Sequence, residues 1–166
     1  FNEEKNLEKL LLEIDNAALN FQNEIIIIDD KSSDNSLNVI SNLKKKIAQI
    51  NLIKNSSNLG QSYSIHKGVK AAKYDNIITI DGDGQNDPSD IDKISKIYFD
   101  NKDIYLVGGI RAKRKDSISK IIASKIANKI RSSILQDNCI DTGCGLKIFD
   151  KNIFLKIAYF DGMHRF

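Results

Sequence analysis

The stretch "NIITIDGDGQNDPSD", residues 76–90, decides how the rest of the chain is read. An isoleucine-rich run stops at Asp81 and Asp83, with Gly82 between them, and Gly84, Gln85, Asn86, Asp87 and Pro88 follow. A short continuous run of β-branched residues suits a strand buried on both faces, as in a parallel sheet. In extended chain, residues i and i+2 point to the same side, so Asp81 and Asp83 are expected to face one point, with Gln85 next in the alternation. Two converging carboxylates repel, and a divalent cation removes the conflict. Carboxylate and amide oxygens are hard ligands suited to Mg²⁺ or Mn²⁺. Asp81, Asp83 and Gln85 are thus the expected metal set; a solvated turn and helix cap is the plain alternative. Asp87 and Pro88 read as the N-cap and first turn of the next helix.

A second acid-tipped strand lies upstream. "EIIIIDD" ends at Asp29 and Asp30, and "INLIK" and "DIYLVGG" are further strands. Between them lie helical patterns. "NEEKNLEKLLLEIDNAALN" places Leu7, Leu10, Leu11, Ile14 and Ala18 on one face, and "SLNVISNLKKKIAQ" does so with Leu37, Ile40, Leu43 and Ile47. "GQSYSIHKGVKAAK" and "PSDIDKISKIYFDN" read as helices, as does "DSISKIIASKIANKIRSSIL", whose isoleucine stripe is flanked by Lys and Arg. That helix suits either an anionic membrane surface or a core-packed stripe with a solvated basic face. "GCGLKIF" and "NIFLKIAYF" give a last strand and helix. Alternating strands and helices predict an α/β fold with a mainly parallel sheet. Ligands of such sheets bind beyond the carboxyl ends of the strands, so both acidic ends are expected on one edge.

The bulk numbers restrict the function classes. The chain has 166 residues, 41% hydrophobic and 28% charged, which is one soluble domain's worth of core. A net charge of +3 is too mild for a nucleic-acid partner to be inferred. Cys139 and Cys144 have no CxxC spacing, and His66 and His164 are isolated, which argues against a disulfide framework or a zinc site. No apolar run approaches the ~20 residues that span a bilayer. An EF-hand starting at Asp81 is excluded, because Asn86 stands where its sixth-position Gly belongs and Pro88 falls inside the loop. A haloacid-dehalogenase-type phosphatase also has a DxDG segment. There it sits on the first strand and is followed by Thr or Val, so the match is the weaker one.

Six segments in order resemble family 2 glycosyltransferases, in particular the polyprenyl-phosphate (dolichol-phosphate-mannose-synthase-like) branch. "FNEEKNL" is similar to the P-x-[YF]-N-E-x-x-N-L opening, without the Pro and the strand before it. "IIIIDDKSSDNS", "NLGQSYSIHKG", "DGDGQNDPSDI", "GGIRAKRKDS" and "DTGCGLKIF" match the segments that follow. "DGDGQNDPSDI", with Gln85, is the most specific of them.

The resemblance implies a GT-A fold over residues 1–166, truncated at the N-terminal first strand and before a C-terminal membrane region. It implies a nucleotide-diphosphate sugar donor, linked to UDP or GDP, and a polyprenyl phosphate acceptor. Phe1 would stack on the base with Glu3 beside it, and Asp30 would accept hydrogen bonds from the base. Asp81 would reach the ribose or the metal, and Asp83 and Gln85 would hold the metal on the diphosphate. Arg111, Arg114 and Arg131 are expected phosphate clamps, because the guanidinium fork binds phosphate bidentately. Asp141 would be a base or acceptor-facing acid, and Lys147 would steady the acceptor phosphate. The implied location is the cytoplasmic face of a membrane, with no nucleic-acid partner; homo-oligomerisation is left open. A family 2 transferase with a soluble or polysaccharide acceptor, and a non-catalytic nucleotide-sugar binding domain, are the alternatives.

Overall fold

The computed structural model describes residues 1–110, 141 and 143–158. Among these, α1 (Glu4–Ala17) leads into β1 (Ile25–Asp29), α2 (Ser36–Lys44), β2 (Ile50–Lys54), α3 (Gln61–Ala71) and β3 (Asn76–Thr79). A 3₁₀ turn at Pro88–Asp90 opens α4 (Ile91–Asp100), followed by β4 (Leu106–Gly108), β5 (Lys147–Asp150) and α5 (Lys151–Lys156). The long basic helix expected from Asp116 onward, the arginines Arg111, Arg114 and Arg131, Cys139 and His164 lie outside the described residues.

The strands form two groups. β1 and β2 pair in parallel, Ile25 opposite Ile50 through Asp29 opposite Lys54. The second group has the order β3-β5-β4, with β5 antiparallel to both neighbours. The α/β class holds. The mainly parallel sheet acquires one reversed strand, β5, which brings Lys147 opposite Thr79 and Gly108.

Each group has its own core. Leu7 and Leu11 of α1 and Ile40 and Leu43 of α2 pack with Ile25, Ile47 and Ile50 beside the parallel pair. Ile91, Ile94 and Tyr98 of α4 pack with Cys144, Leu146 and Ile148 beside the antiparallel group. The helical spacing of the leucines and isoleucines accounts for both: one stripe of each helix is buried and the rest is solvated. Cys144 is a small packed residue, 2% exposed.

Between the two groups lies a cavity of 820 Å³, lined by Ile25, Ile26 and Ile28 of β1 and by Asn76, Ile77, Ile78 and Thr79 of β3. Residues of α1 and α4 (Ile14, Ile91, Ser95 and Phe99), of α3 (Ser64, Ile65, Gly68 and Val69) and the α3 C-cap Ala72 contribute to its walls. This explains a departure from the expected strand burial. β3 was expected to be strongly buried but alternates exposed and half-buried residues, because one edge faces the cavity. Among the described residues, β1 pairs only with β2, and β3 only with β5.

Candidate functional site

The site is built at the cavity mouth, where β1 and β3 end. Phe1, Glu3, Asp30, Asp81 and Asp83 all line the cavity. Five of the expected site residues therefore converge, drawn from three separate segments.

The first wall follows β1. Asp29 is buried, and both its carboxylate oxygens accept the Ser32 N–H at 3.3 Å, which closes the turn after the strand. Asp30, also buried, accepts three hydrogen bonds of 2.8 Å. Asn55 Nδ2 and the Leu59 N–H reach its Oδ1, and the Gly60 N–H reaches its Oδ2. Burial raises the Asp30 pKa, but the donors from Leu59, Asn55 and Gly60 outweigh it and hold the carboxyl below its ordinary value. Asp30, expected to receive the base, thus first organises the loop between β2 and α3. Asn55 is in turn held by Lys67, whose Nζ donates to its Oδ1 at 2.8 Å.

The start of α1 is fastened to the same wall. Its first N–H groups would be orphans, since an α-helix leaves four of them unpaired. Here the Glu3 N–H donates to Ser36 Oγ and the Glu4 N–H to Asp34 Oδ2, both at 3.1 Å. The Asn2 N–H donates to Ser32 Oγ at 3.0 Å, and Asn2 Oδ1 accepts the Ser33 N–H at 2.8 Å. Phe1, 58% exposed, and Glu3 are thereby held beside Asp30 at the cavity mouth. Stacking on Phe1 needs an exposed ring face, and that exposure supplies one.

The second wall follows β3, and it departs from the alternation expected of it. The strand ends at Thr79, and Gly82 and Asp83 form a turn just beyond Asp81. Asp83 Oδ1 accepts the Gln85 N–H at 3.0 Å, and Gly84 between them has φ +70°, a region that residues with a Cβ rarely adopt. Asp81 Oδ1 accepts Gln61 Nε2 at 2.8 Å. Gly60 and Gln61, at the head of α3, therefore tie the Asp30 wall to the Asp81 wall. Gln85 is exposed and does not line the cavity; its backbone N–H, not its side chain, serves the acid turn. The rest of the segment behaves as read: Asp87 Oδ1 caps the Ser89 N–H at 2.9 Å, with Pro88 in the first turn.

Asp141 is buried, and its Oδ1 accepts the Gly143 N–H at 3.2 Å; Lys147 begins β5. Neither is among the residues lining the cavity. Sequence reasoning missed Asn2, Asn55, Gln61 and Gly145. Their roles rest on contacts between residues far apart in the chain, and no local spacing signals those.

Among the described residues no group of three or more His, Cys, Asp or Glu side chains could hold a metal alone. Asp81 and Asp83 nevertheless share one cavity mouth. Mg²⁺ is commonly held by one or two carboxylates with substrate phosphates completing the shell, and two acids fit that pattern.

The family model described as glycosyl transferase family 2 matches residues 1–158. The dodecaprenyl-phosphate galacturonate synthase of Rhizobium johnstonii is 31% identical over 170 residues, covering 100% of this chain and 50% of its own length. The undecaprenyl-phosphate 4-deoxy-4-formamido-L-arabinose transferase of Photorhabdus laumondii is 36% identical over 157 residues, covering 92% and 47%. The chain thus spans about half the length of these curated relatives. Among solved structures, glucosyl-3-phosphoglycerate synthase from Mycobacterium tuberculosis, in complex with Mn²⁺ and UDP-glucose, superposes with a TM-score of 0.75 at 15% identity, covering 98% of this chain and 57% of that one. That likeness supports the GT-A fold. With acids from both strand ends gathered at one mouth and the family model spanning nearly all of the sequence, the chain belongs to glycosyl transferase family 2.

Proposed function

We propose that this chain binds the nucleotide-sugar donor of a metal-assisted, inverting glycosyltransferase whose acceptor is a polyprenyl phosphate. The convergence of Phe1, Glu3, Asp30, Asp81 and Asp83 on one cavity mouth carries this reading. The lipid-phosphate acceptor is supported by the two curated relatives, both named as polyprenyl-phosphate enzymes.

The roles follow the two walls. Phe1 stacks on the base, with Glu3 alongside. Asp30 shapes the base-facing loop and presents its Oδ2 edge. Asp81 and Asp83 would hold Mg²⁺ or Mn²⁺ for the donor diphosphate, and Gln85 contributes its N–H to the Asp83 turn. The cation, when bound, neutralises charge on the departing nucleoside diphosphate. A phosphate oxygen of the acceptor attacks the anomeric carbon, a new C–O bond forms, and the bond to the nucleoside diphosphate breaks with its electron pair. A phosphate monoester is mostly ionised at pH 7 (second pKa ~6), so the attacking oxygen needs little deprotonation. Asp141 then positions the acceptor more than it takes a proton, Lys147 steadies the acceptor phosphate, and Arg111 and Arg131 clamp phosphate charge. The reaction takes place at the cytoplasmic face of a membrane. Among the described residues no helix is long and apolar enough to cross one.

A thermal-shift panel of UDP- and GDP-sugars with and without Mn²⁺ tests the donor half of this reading. Mn²⁺-dependent stabilisation by one of them, followed by transfer of a labelled sugar to undecaprenyl phosphate, is the expected result. Absence of stabilisation by every nucleotide sugar in Mn²⁺ rejects it.

A further inference from the structure

The position of the Asp81 side chain has a specific cause on the opposite side of the mouth. A Cβ built on Gly145 would overlap the Asp81 carboxylate, striking its carbon and both oxygens. The Asp81 head group therefore occupies the room that a side chain at residue 145 would need. Gln61 Nε2 holds the same carboxylate from the head of α3, at 2.8 Å from Oδ1.

Gly145 cannot readily retreat. Thr79 Oγ1 donates to its carbonyl oxygen at 2.9 Å, and the next carbonyl, that of Leu146, accepts the Gly109 N–H at 2.9 Å. Immediately afterwards β5 begins, with Lys147 registered against both Thr79 and Gly108. Leu146 is buried in the core beneath α4. The backbone around Gly145 is thus pinned by Thr79 of β3 and by Gly109 just past β4, whereas Asp81 lies beyond the end of β3. When the two compete for space, the acid must move.

Conformation does not confuse the case. Gly60 and Gly84 are the described glycines with positive φ, and Gly145 is not among them. Alanine suits its backbone, and the obstacle to it is the Asp81 carboxylate.

We propose that Gly145 is a positioning residue for Asp81: its missing side chain, together with the Gln61 amide, fixes where that carboxylate stands at the cavity mouth. This rests on the reading of Asp81 as part of the donor site. The role is separate from any contact that Gly145 makes with a ligand, and it explains why a small residue stands between Cys144 and Leu146, both of which are buried.

A double-mutant cycle on the full chain tests it: Gly145→Ala, Asp81→Ala and the pair. Two quantities are read, the thermal midpoint without metal and the affinity for UDP and GDP in Mn²⁺. In the Asp81 background, Gly145→Ala is expected to weaken Mn²⁺-dependent nucleotide binding by about tenfold, or about 1.4 kcal/mol, and to lower the midpoint. In the Asp81→Ala background the same substitution is expected to change both by less than about twofold or a degree, because the overlapping group is gone. Gln61→Ala, which introduces no overlap, is expected to weaken the same binding by about threefold and serves if Gly145→Ala does not fold. Equal losses from Gly145→Ala in both backgrounds overturn the proposal, as does an unchanged midpoint and affinity in the Asp81 background. If Asp81→Ala itself leaves Mn²⁺-dependent binding intact, the donor-site reading fails, and the metal-free thermal cycle still decides whether Gly145 sets the Asp81 position.

Discussion

The two acid-tipped walls of the cavity mouth are alike in sequence and unlike in construction. On the parallel side, the Asp30 carboxylate accepts Asn55, Leu59 and Gly60 donors and is 7% exposed. On the antiparallel side, Asp83 accepts the N–H of Gln85 only two residues away, and Asp81 is steered by Gln61 and by the space at Gly145. A carboxylate whose lone pairs are taken by backbone donors is scaffold first. One that is held by its own turn and faces a cavity keeps capacity for a cation or a phosphate-bound metal. The difference supports the proposal that Asp30 acts mainly in stability and Asp83 mainly in binding, although both follow a strand rich in isoleucine.

Substitutions that preserve shape and remove charge separate the two. Asp83→Asn is expected to have the largest effect, a loss of about a hundredfold or more in Mn²⁺-dependent UDP or GDP affinity, with the metal-free thermal midpoint unchanged within about a degree. Calorimetric titration checks it, and unaltered affinity would merge the two walls into one class. Asp30→Asn should do the reverse. Exchanging a charged acceptor for an amide leaves at least one buried N–H facing an N–H, which costs about 2–3 kcal/mol. A fall of roughly 5–10 °C in the melting temperature follows for a domain of this size. Asn55→Ala removes one donor to Asp30 and one of the two acceptors of Lys67, Lys54 O being the other, and is expected to cost about 1–2 kcal/mol by the same measurement.

The smallest effect is in pH. The Asp30 carboxyl is held below its ordinary value, with burial opposing and the Leu59, Asn55 and Gly60 donors prevailing. Its contribution is full above the unfolded carboxylate pKa of about 4 and is lost as pH falls through the lower folded value. Melting temperatures of the parent chain should therefore drop more steeply below about pH 4 than those of Asp30→Asn. Parallel slopes would mean that the Asp30 hydrogen bonds carry no net charge preference.

What could be read from the sequence was local. The leucine stripe of α1 gave the buried Leu7, Leu10 and Leu11, and Asp87 with Pro88 marked the start of the 3₁₀ turn, because caps act over two or three residues. The gathering of Asp30, Asp81 and Asp83 at one mouth followed from the rule for strand ends in α/β folds. The reversal of β5 was not legible, since an apolar run such as "LKIF" carries no direction. Past Thr79 the chain turns at Gly82 and Asp83 and Gly84 takes a positive φ, so the extended alternation from Asp81 to Gln85 is not continued: Asp81 and Asp83 line the cavity and Gln85 does not. The Asn55, Gln61 and Gly145 contacts join residues far apart in sequence, and period or spacing cannot report them.

The fastening of α1 to the segment after β1 has a consequence for breathing motions. Helix ends normally fray, and their first amides exchange with solvent quickly. Here the amides of Asn2, Glu3 and Glu4 are held by Ser32, Ser36 and Asp34, while Glu4 Oε2 returns the favour to the Asn35 N–H at 2.8 Å. Two stretches some thirty residues apart thus form a single opening unit: the head of α1 cannot loosen without the turn at 32–36 loosening as well.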